Sequence, residues 1–256
     1  MINTLDTKQS GGGRAIAAVR ISNVRKTYRL DAVDVPALAD VTLTVRSECF
    51  TVLSGPSGSG KTTLLNIIGC VDRAGHGDVE VVGVDVNRLS DDELSDFRAR
   101  HLGYVFQTFN LLPVLSAFEN VEYPLAIAGL RAAERRQRAG ELLDAVGLAD
   151  KARSRPGRLS GGQRQRVAIA RALALAPRLV LADEPTANLD SETGHSIIEL
   201  MRTLQRELRT SFVFSSHDPQ LLGAADDIIR IVDGRIVGIE RAAGHRDVTN
   251  GEAFAC

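Results

Sequence analysis

Apolar positions along the chain follow two rhythms. Short runs at Phe50 to Ser54, Leu102 to Phe106, Arg178 to Ala182 and Thr210 to Phe214 are bounded by charged or turn-forming residues. Runs of that length predict buried strands. Val41 to Val45 alternates as a half-buried strand does, and strand character also covers Ala17 to Tyr28 and Asp78 to Val81. A turn rich in Asp at 31–34 separates the first two. Short strands in this N-terminal part predict an antiparallel flap. Ile228 to Val232 and Arg235 to Ile239 flank Asp233-Gly234, which predicts a terminal hairpin.

Helical spacing fills the intervals. Thr63 to Ile68 reads as an apolar-faced helix, and Ser90 to Arg98 as a short helix capped by Ser90 with an acidic first turn. Residues 114–158 read as helical, including Ala132 to Leu143, with Pro156-Gly157 as a boundary. Arg164 to Leu175 is alanine-rich, and Ser191 to Leu208 follows Asp190 as its cap. The alternation of strands and helices is an α/β pattern.

One junction in this pattern carries chemistry. Between the strand at Phe50 and the helix at Thr63 lies Gly55-Pro56-Ser57-Gly58-Ser59-Gly60-Lys61-Thr62. Strand, glycine-rich turn and helix form the setting of a phosphate-binding loop. Glycines let successive backbone N–H groups curl around an anion, and the helix start adds its dipole. Lys61 is suited to the β and γ phosphates and the Thr62 hydroxyl to Mg²⁺.

Other strand ends deliver polar groups. Leu102 to Phe106 ends at Gln107, whose amide can ligate Mg²⁺ or hold an attacking water. Arg178 to Ala182 ends in Asp183-Glu184, at the edge of a parallel sheet where ligands bind. Asp183 suits the metal, and Glu184 suits a water facing the γ-phosphate. Thr210 to Phe214 leads to Ser215-Ser216-His217-Asp218, and His217 can hydrogen-bond the γ-phosphate, although by itself it reads as an ordinary core or surface histidine. Leu159-Ser160-Gly161-Gly162-Gln163 opens a helix and is a second anion cradle. A triphosphate needs one cradle per chain, so the second implies closure on a nucleotide held by another copy. Tyr28 precedes the phosphate loop; its ring can stack on adenine or pack the flap, and spacing leaves both open. His195 reads as a surface histidine.

Composition narrows the setting. The 256 residues are 44% apolar, enough for a sizeable core, and 31 Lys and Arg nearly balance 32 Asp and Glu. That balance argues against a general nucleic-acid binder. Trp is absent, which disfavours base-stacking platforms for single strands. Cys49, Cys70 and Cys256 show no metal-ligand spacing and read as idle thiols of a reducing compartment. Met1 to Gly13 lacks the apolar core of a leader, and Val167 to Ala182 is broken by Arg171, Pro177 and Arg178. The expectation is a chain that is soluble by itself.

In this order and combination the motifs resemble the nucleotide-binding subunits of ATP-binding cassette transporters, over roughly 17–240. The stretches from Val105 to Pro113, Glu119 to Val121 and Leu181 to Asp190 are similar to the branch serving lipoprotein release, macrolide export and cell-division permeases. Two departures stand out. Arg46-Ser47-Glu48-Cys49 lacks the usual glycine of the turn before the phosphate-loop strand, and Thr62 replaces the commoner serine.

The resemblance implies a P-loop NTPase core with a mixed central sheet, an N-terminal antiparallel β subdomain and an inserted α-helical subdomain. Its divisions are a disordered tail at 1–14, core at 15–107 and 166–240, a helical subdomain at 108–165 and a tail at 241–256. Two subunits pair head to tail around ATP and Mg²⁺. Nucleotide contacts fall to Tyr28, Gly55, Ser57, Gly58, Ser59, Gly60, Lys61, Thr62 and Thr63, with Ser160, Gly161, Gly162, Gln163 and Asp190. Metal contacts fall to Thr62, Gln107 and Asp183, and catalysis to Glu184, His217, Lys61 and Gln107. The implied partner is a separate membrane permease, which holds the subunit on the cytoplasmic face. The alternatives are a soluble superfamily member acting on DNA or ribosomes, and the ATPase of an importer.

Overall fold

The computed structural model describes residues 17–30 and 33–242. The expected tails lie outside the described residues except for Arg241 and Ala242, as do Asp31 and Cys256. Two sheets organise the chain. The first is four-stranded and antiparallel, in the order β2-β1-β4-β5, from β1 (Ala17–Leu30), β2 (Val33–Arg46), β4 (His76–Val81) and β5 (Val84–Asp85). Its first two strands each run for 14 residues, and β2 is not the short strand expected. Register shifts along their pairing, with left-handed Asp40, break the alternation that would have shown its length. Val33 and Asp34 belong to β2 and not to the expected turn.

The second sheet has six strands in the order β10-β9-β3-β8-β7-β6. They are β3 (Phe50–Ser54), β6 (Leu102–Val105), β7 (Leu179–Asp183), β8 (Ser211–Ser215), β9 (Asp227–Val232) and β10 (Arg235–Arg241). All neighbours are parallel except the terminal hairpin of β9 and β10. Every residue of β3 and β8 is buried, as a sheet covered on both faces requires. Successive side chains point to opposite faces. Phe212 and Phe214 join Phe50 in the core beneath the helices, while Val213 and Leu53 join the core shared with the antiparallel sheet. The Phe50 and Phe214 rings lie 4.2 Å apart. Such a pair contributes about 0.5–1.5 kcal/mol beyond its burial.

Seven helices among the described residues cover the sheet: α1 (Lys61–Ile68), α2 (Asp91–His101), α3 (Ala117–Ile127), α4 (Ala132–Ala145), α5 (Gly161–Ala172), α6 (Ser191–Leu208) and α7 (Pro219–Gly223). Ser90 caps α2 as expected, with Glu93 completing a capping box, and Ser116 with Glu119 does the same for α3. The segment 114–158, read as helical, is built of two helices and two short 3₁₀ turns. α5 ends at Ala172, short of Leu175, because the chain turns through left-handed Ala176 into Pro177. Arg46 at the end of β2 grips the buried Asp227 of β9 through two hydrogen bonds of 2.9 and 2.6 Å, which ties the two sheets together.

The missing glycine has a visible consequence. Glu48, in the turn between β2 and β3, adopts φ 55, a left-handed conformation that strains a side-chain-bearing residue. Its N–H donates to Ser211 Oγ at 2.9 Å and its carbonyl accepts from Gln205 Nε2 at 2.7 Å, so neighbours hold the turn. Glu48→Gly is expected to raise stability by about 0.5–1 kcal/mol, the relieved strain less the added freedom of the unfolded chain. Urea melts of the two proteins check this.

Candidate functional site

The parallel ladder sets the site. Leu53 of β3 and Asp183 of β7 both pair with Ser215 of β8, so three strand ends reach one level. There β3 delivers the loop 55–60 and α1. The loop packs closely against its surroundings. A Cβ on Gly60, which has φ 100, would stand 2.6 Å from the Ala37 carbonyl, and one on Gly55 would stand 2.0 Å from that of Ile231. No side chain caps α1, so no cap competes with an anion for its first-turn N–H groups. Lys61 Nζ donates to the Gly55 and Pro56 carbonyls at 2.8 Å each, which holds the ammonium over the loop. The buried Ser59 hydroxyl has no partner among the described residues, an unsatisfied group at the loop.

The acids sit opposite. Thr62 Oγ1 lies 3.5 Å from Asp183 Oδ1. Burial pushes the Asp183 carboxyl above its ordinary pKa and the charge of Glu184 adds to this, while bonds from Ser215 and Thr62 oppose it. Glu184 adopts φ 43, with its N–H bonded to the Ser215 carbonyl. Backbone strain of this kind is held by its surroundings. Both carboxylate oxygens are engaged: Ser216 Oγ donates to Oε2 at 3.0 Å, and His217 Nδ1 meets Oε1 at 3.0 Å. Five of the expected residues, Lys61, Thr62, Asp183, Glu184 and His217, thus surround the ends of β3, β7 and β8.

The remaining expected residues lie around this centre. Gln107 is exposed just beyond β6, and its carbonyl accepts from Asn188 Nδ2 at 2.8 Å. The following turn, with left-handed Phe109 and Asn110, is gripped from α5. Arg171 donates to both of their carbonyls, and the Arg164 guanidinium lies 5.0 Å from the Phe109 ring centre. Ser160 and Gln163 form a capping box at the start of α5. Gly162 is buried against α6, where a Cβ would come 2.5 Å from Thr193 Cγ2. Among the described residues no hydrogen bond joins Ser160–Gln163 to the phosphate loop. Asp190 caps α6, and hydrogen bonds from the Thr193 N–H and hydroxyl hold its carboxyl below the ordinary range. Tyr28 is half-buried and its hydroxyl donates to Asp72 Oδ2 at 2.7 Å. His195 is exposed as expected, and Cys49 and Cys70 are buried free thiols.

A family model described as ABC transporter matches residues 38–187. This chain belongs to the ABC transporter family. It is similar to the lipoprotein-releasing system ATP-binding protein LolD of Anaeromyxobacter dehalogenans, with 49% identity over 90% of this chain and 98% of that protein. It is also similar to the macrolide export ATP-binding/permease protein MacB of Syntrophobacter fumaroxidans, with 46% identity over 88% of this chain and 32% of that longer protein. The dimeric post-hydrolysis structure of the cassette MJ0796 of Methanocaldococcus jannaschii, bound to ADP and Pi, superposes with a TM-score of 0.81. That match has 43% identity and covers 89% of this chain and all of the other. The chain is an ABC ATPase: it binds ATP and hydrolyses it.

Several residues around the ABC ATPase site escaped the sequence reading. Ser216 is one, although its place directly before His217 was a usable signal. Buried Gln165 donates to the Pro185 carbonyl at 2.7 Å, fixing the peptide between Pro185 and Thr186, and Thr186 donates to Asp218 Oδ2 at 2.7 Å. No motif spacing distinguishes these from ordinary polar residues.

The raised pKa of Asp183 has a sign that can be checked. Its charge is less favourable folded than unfolded, so the penalty is absent below the ordinary 3.8 and complete above the raised folded value. Asp183→Asn is therefore expected to stabilise the chain at neutral pH. The gain shrinks as pH falls toward the ordinary carboxylate range, and urea midpoints across that range follow it.

Proposed function

We propose that the chain works as a pair of ATPase subunits driving a separate membrane permease in a system that exports or extracts its substrate. The observation that carries the catalytic part is the convergence of Lys61, Thr62, Asp183, Glu184 and His217 at three adjacent strand ends. The oxygen donors of Thr62 and Asp183 suit a hard divalent cation such as Mg²⁺, with Gln107 as a further ligand. Bound there, Mg²⁺ supplies charge neutralisation on the phosphate oxygens.

The chain's own groups do the rest. Glu184 orients the attacking water and takes its proton on a carboxylate oxygen, while Ser216 and His217 hold that carboxylate. Lys61 and His217 stabilise charge on the transferring group. The loop from Gly55 to Thr63, with Ser57, Gly58 and Ser59, cradles the phosphates. Ser160, Gly161, Gly162 and Gln163 of a second copy close on them, and Asp190 links the two sites. The dimeric MJ0796 cassettes support this pairing.

A groove of about 880 Å³ beside the Gln107 turn is the proposed seat of a short permease helix. Phe106, Val71 and Ile127 line it and are exposed, and Arg171 reaches from it to the Phe109 and Asn110 carbonyls. Among the described residues no helix is long and apolar enough to cross a membrane, which fits a separate spanning partner. Likeness to LolD and MacB supports the exporting branch over an importer.

Glu184→Gln is expected to retain ATP, to lose about 10²-fold or more in turnover, and to accumulate a dimer. Size-exclusion chromatography with ATP and a phosphate-release assay check both; near-normal hydrolysis rejects the role. Ser216→Ala is expected to lower kcat about tenfold through a misplaced Glu184. The transport reading is tested by purifying Glu184→Gln protein from solubilised native membranes with ATP. Recovery of a polytopic permease supports it, and recovery of ribosomal or DNA-repair proteins instead overturns it.

A further inference from the structure

Tyr28 is held by more than packing. Its hydroxyl donates to Asp72 Oδ2 at 2.7 Å. Lys26 Nζ donates to Asp72 Oδ1 at 2.6 Å and to the Arg73 carbonyl at 2.9 Å, and it stands 5.0 Å from the centre of the Tyr28 ring. The Arg73 N–H adds a further bond to Asp72 Oδ1 at 2.8 Å. Asp72 follows the end of α1, and its own N–H is bonded to the Asn66 carbonyl of that helix. One carboxylate therefore fixes the tip of the ring and the cation beside it, and anchors both to the helix that begins at Lys61.

We propose that Asp72 is a positioning residue that, with Lys26, fixes Tyr28 as a one-faced platform for the nucleobase of ATP. The proposal rests on reading Tyr28 as a base contact and not as packing alone. Lys26 occupies one face of the ring by cation–π contact, which leaves the other for stacking. Because the ring is already fixed, stacking does not have to bear the entropy of ordering it. The anchor also sets the height of the ring relative to the phosphate loop, since both depend on α1. Burial opposes charge on Asp72, but bonds from Lys26, Tyr28 and the Arg73 N–H outweigh it and keep the carboxyl ionised. Tyr28 is held above its ordinary pKa by burial and by that same bond, and so stays a donor.

The test is calorimetric titration of the full-length chain with the non-hydrolysable analogue AMP-PNP and, separately, with inorganic tripolyphosphate. Asp72→Ala and Tyr28→Phe are each expected to weaken AMP-PNP by about three- to tenfold, the worth of ordering one side chain, and to leave tripolyphosphate unmoved. The double variant is expected to lose no more than Asp72→Ala alone, because that change already removes the bond to Tyr28. Equal losses for both ligands, or additive losses in the double variant, overturn the proposal. Tyr28→Leu separates it from the reading beneath. If that variant weakens AMP-PNP alone while Asp72→Ala and Tyr28→Phe do not, the base contact stands and the positioning role falls. If Tyr28→Leu changes neither ligand, the base contact itself falls and the proposal with it.

Discussion

The parallel pairing of β3, β8 and β7 is the constraint on which the rest depends. It places Leu53, Ser215 and Asp183 in one register, so the loop after β3, the acids ending β7 and the histidine after β8 emerge at one level. Parallel strands must be covered on both faces. Here one face is covered by a helical core around Phe50, Phe212 and Phe214, and the other by a core shared with the antiparallel sheet. The Arg46–Asp227 clamp joins the two sheets outside those cores. Slippage of any central strand by one residue would turn its aromatic or aliphatic set to the wrong face, so the packing that stabilises the sheet also holds the chemistry in line.

Around that fixed centre the polar bonds connect neighbouring loops. The segment 185–190 is bonded to α5 through Gln165, to the turn beyond β6 through Asn188, and to the segment after β8 through Thr186 and Asp218. Arg171 and Arg164 hold the turn after Gln107 against α5. These contacts join the segment after Glu184, the α5 start and the proposed permease groove in one bonded set.

What could be read from sequence follows from how far apart the cooperating residues lie. The phosphate loop, Asp183-Glu184, and the caps at Ser90 and Asp190 are consecutive or nearly so, and local spacing reveals them. The bonds that position them span 44 residues for Tyr28 and Asp72, 62 for Phe109 and Arg171, and 32 for Glu184 and Ser216. No periodicity encodes such pairs. The length of β2 was hidden for a different reason, since the irregularity at Asp40 interrupts the period of two. The absent glycine at Glu48 was visible, but its outcome was not: the turn keeps its left-handed form, and the Ser211 and Gln205 side chains hold it.

The capping box at Ser160 limits what the chain can become. The Ser160 oxygen accepts from the Gln163 N–H at 3.2 Å, and its hydroxyl hydrogen is left to donate. Aspartate and asparagine cap helices as well as serine does, but neither combines the cap with a hydroxyl proton, and aspartate would add a charge that repels phosphate. Serine closes this helix with its oxygen and keeps a hydroxyl proton to donate, and an asparagine amide would keep N–H donors, whereas aspartate keeps none. Under the proposed pairing Ser160 meets two unrelated demands at once, one from folding and one from encounter, and aspartate, which satisfies the first, would fail the second.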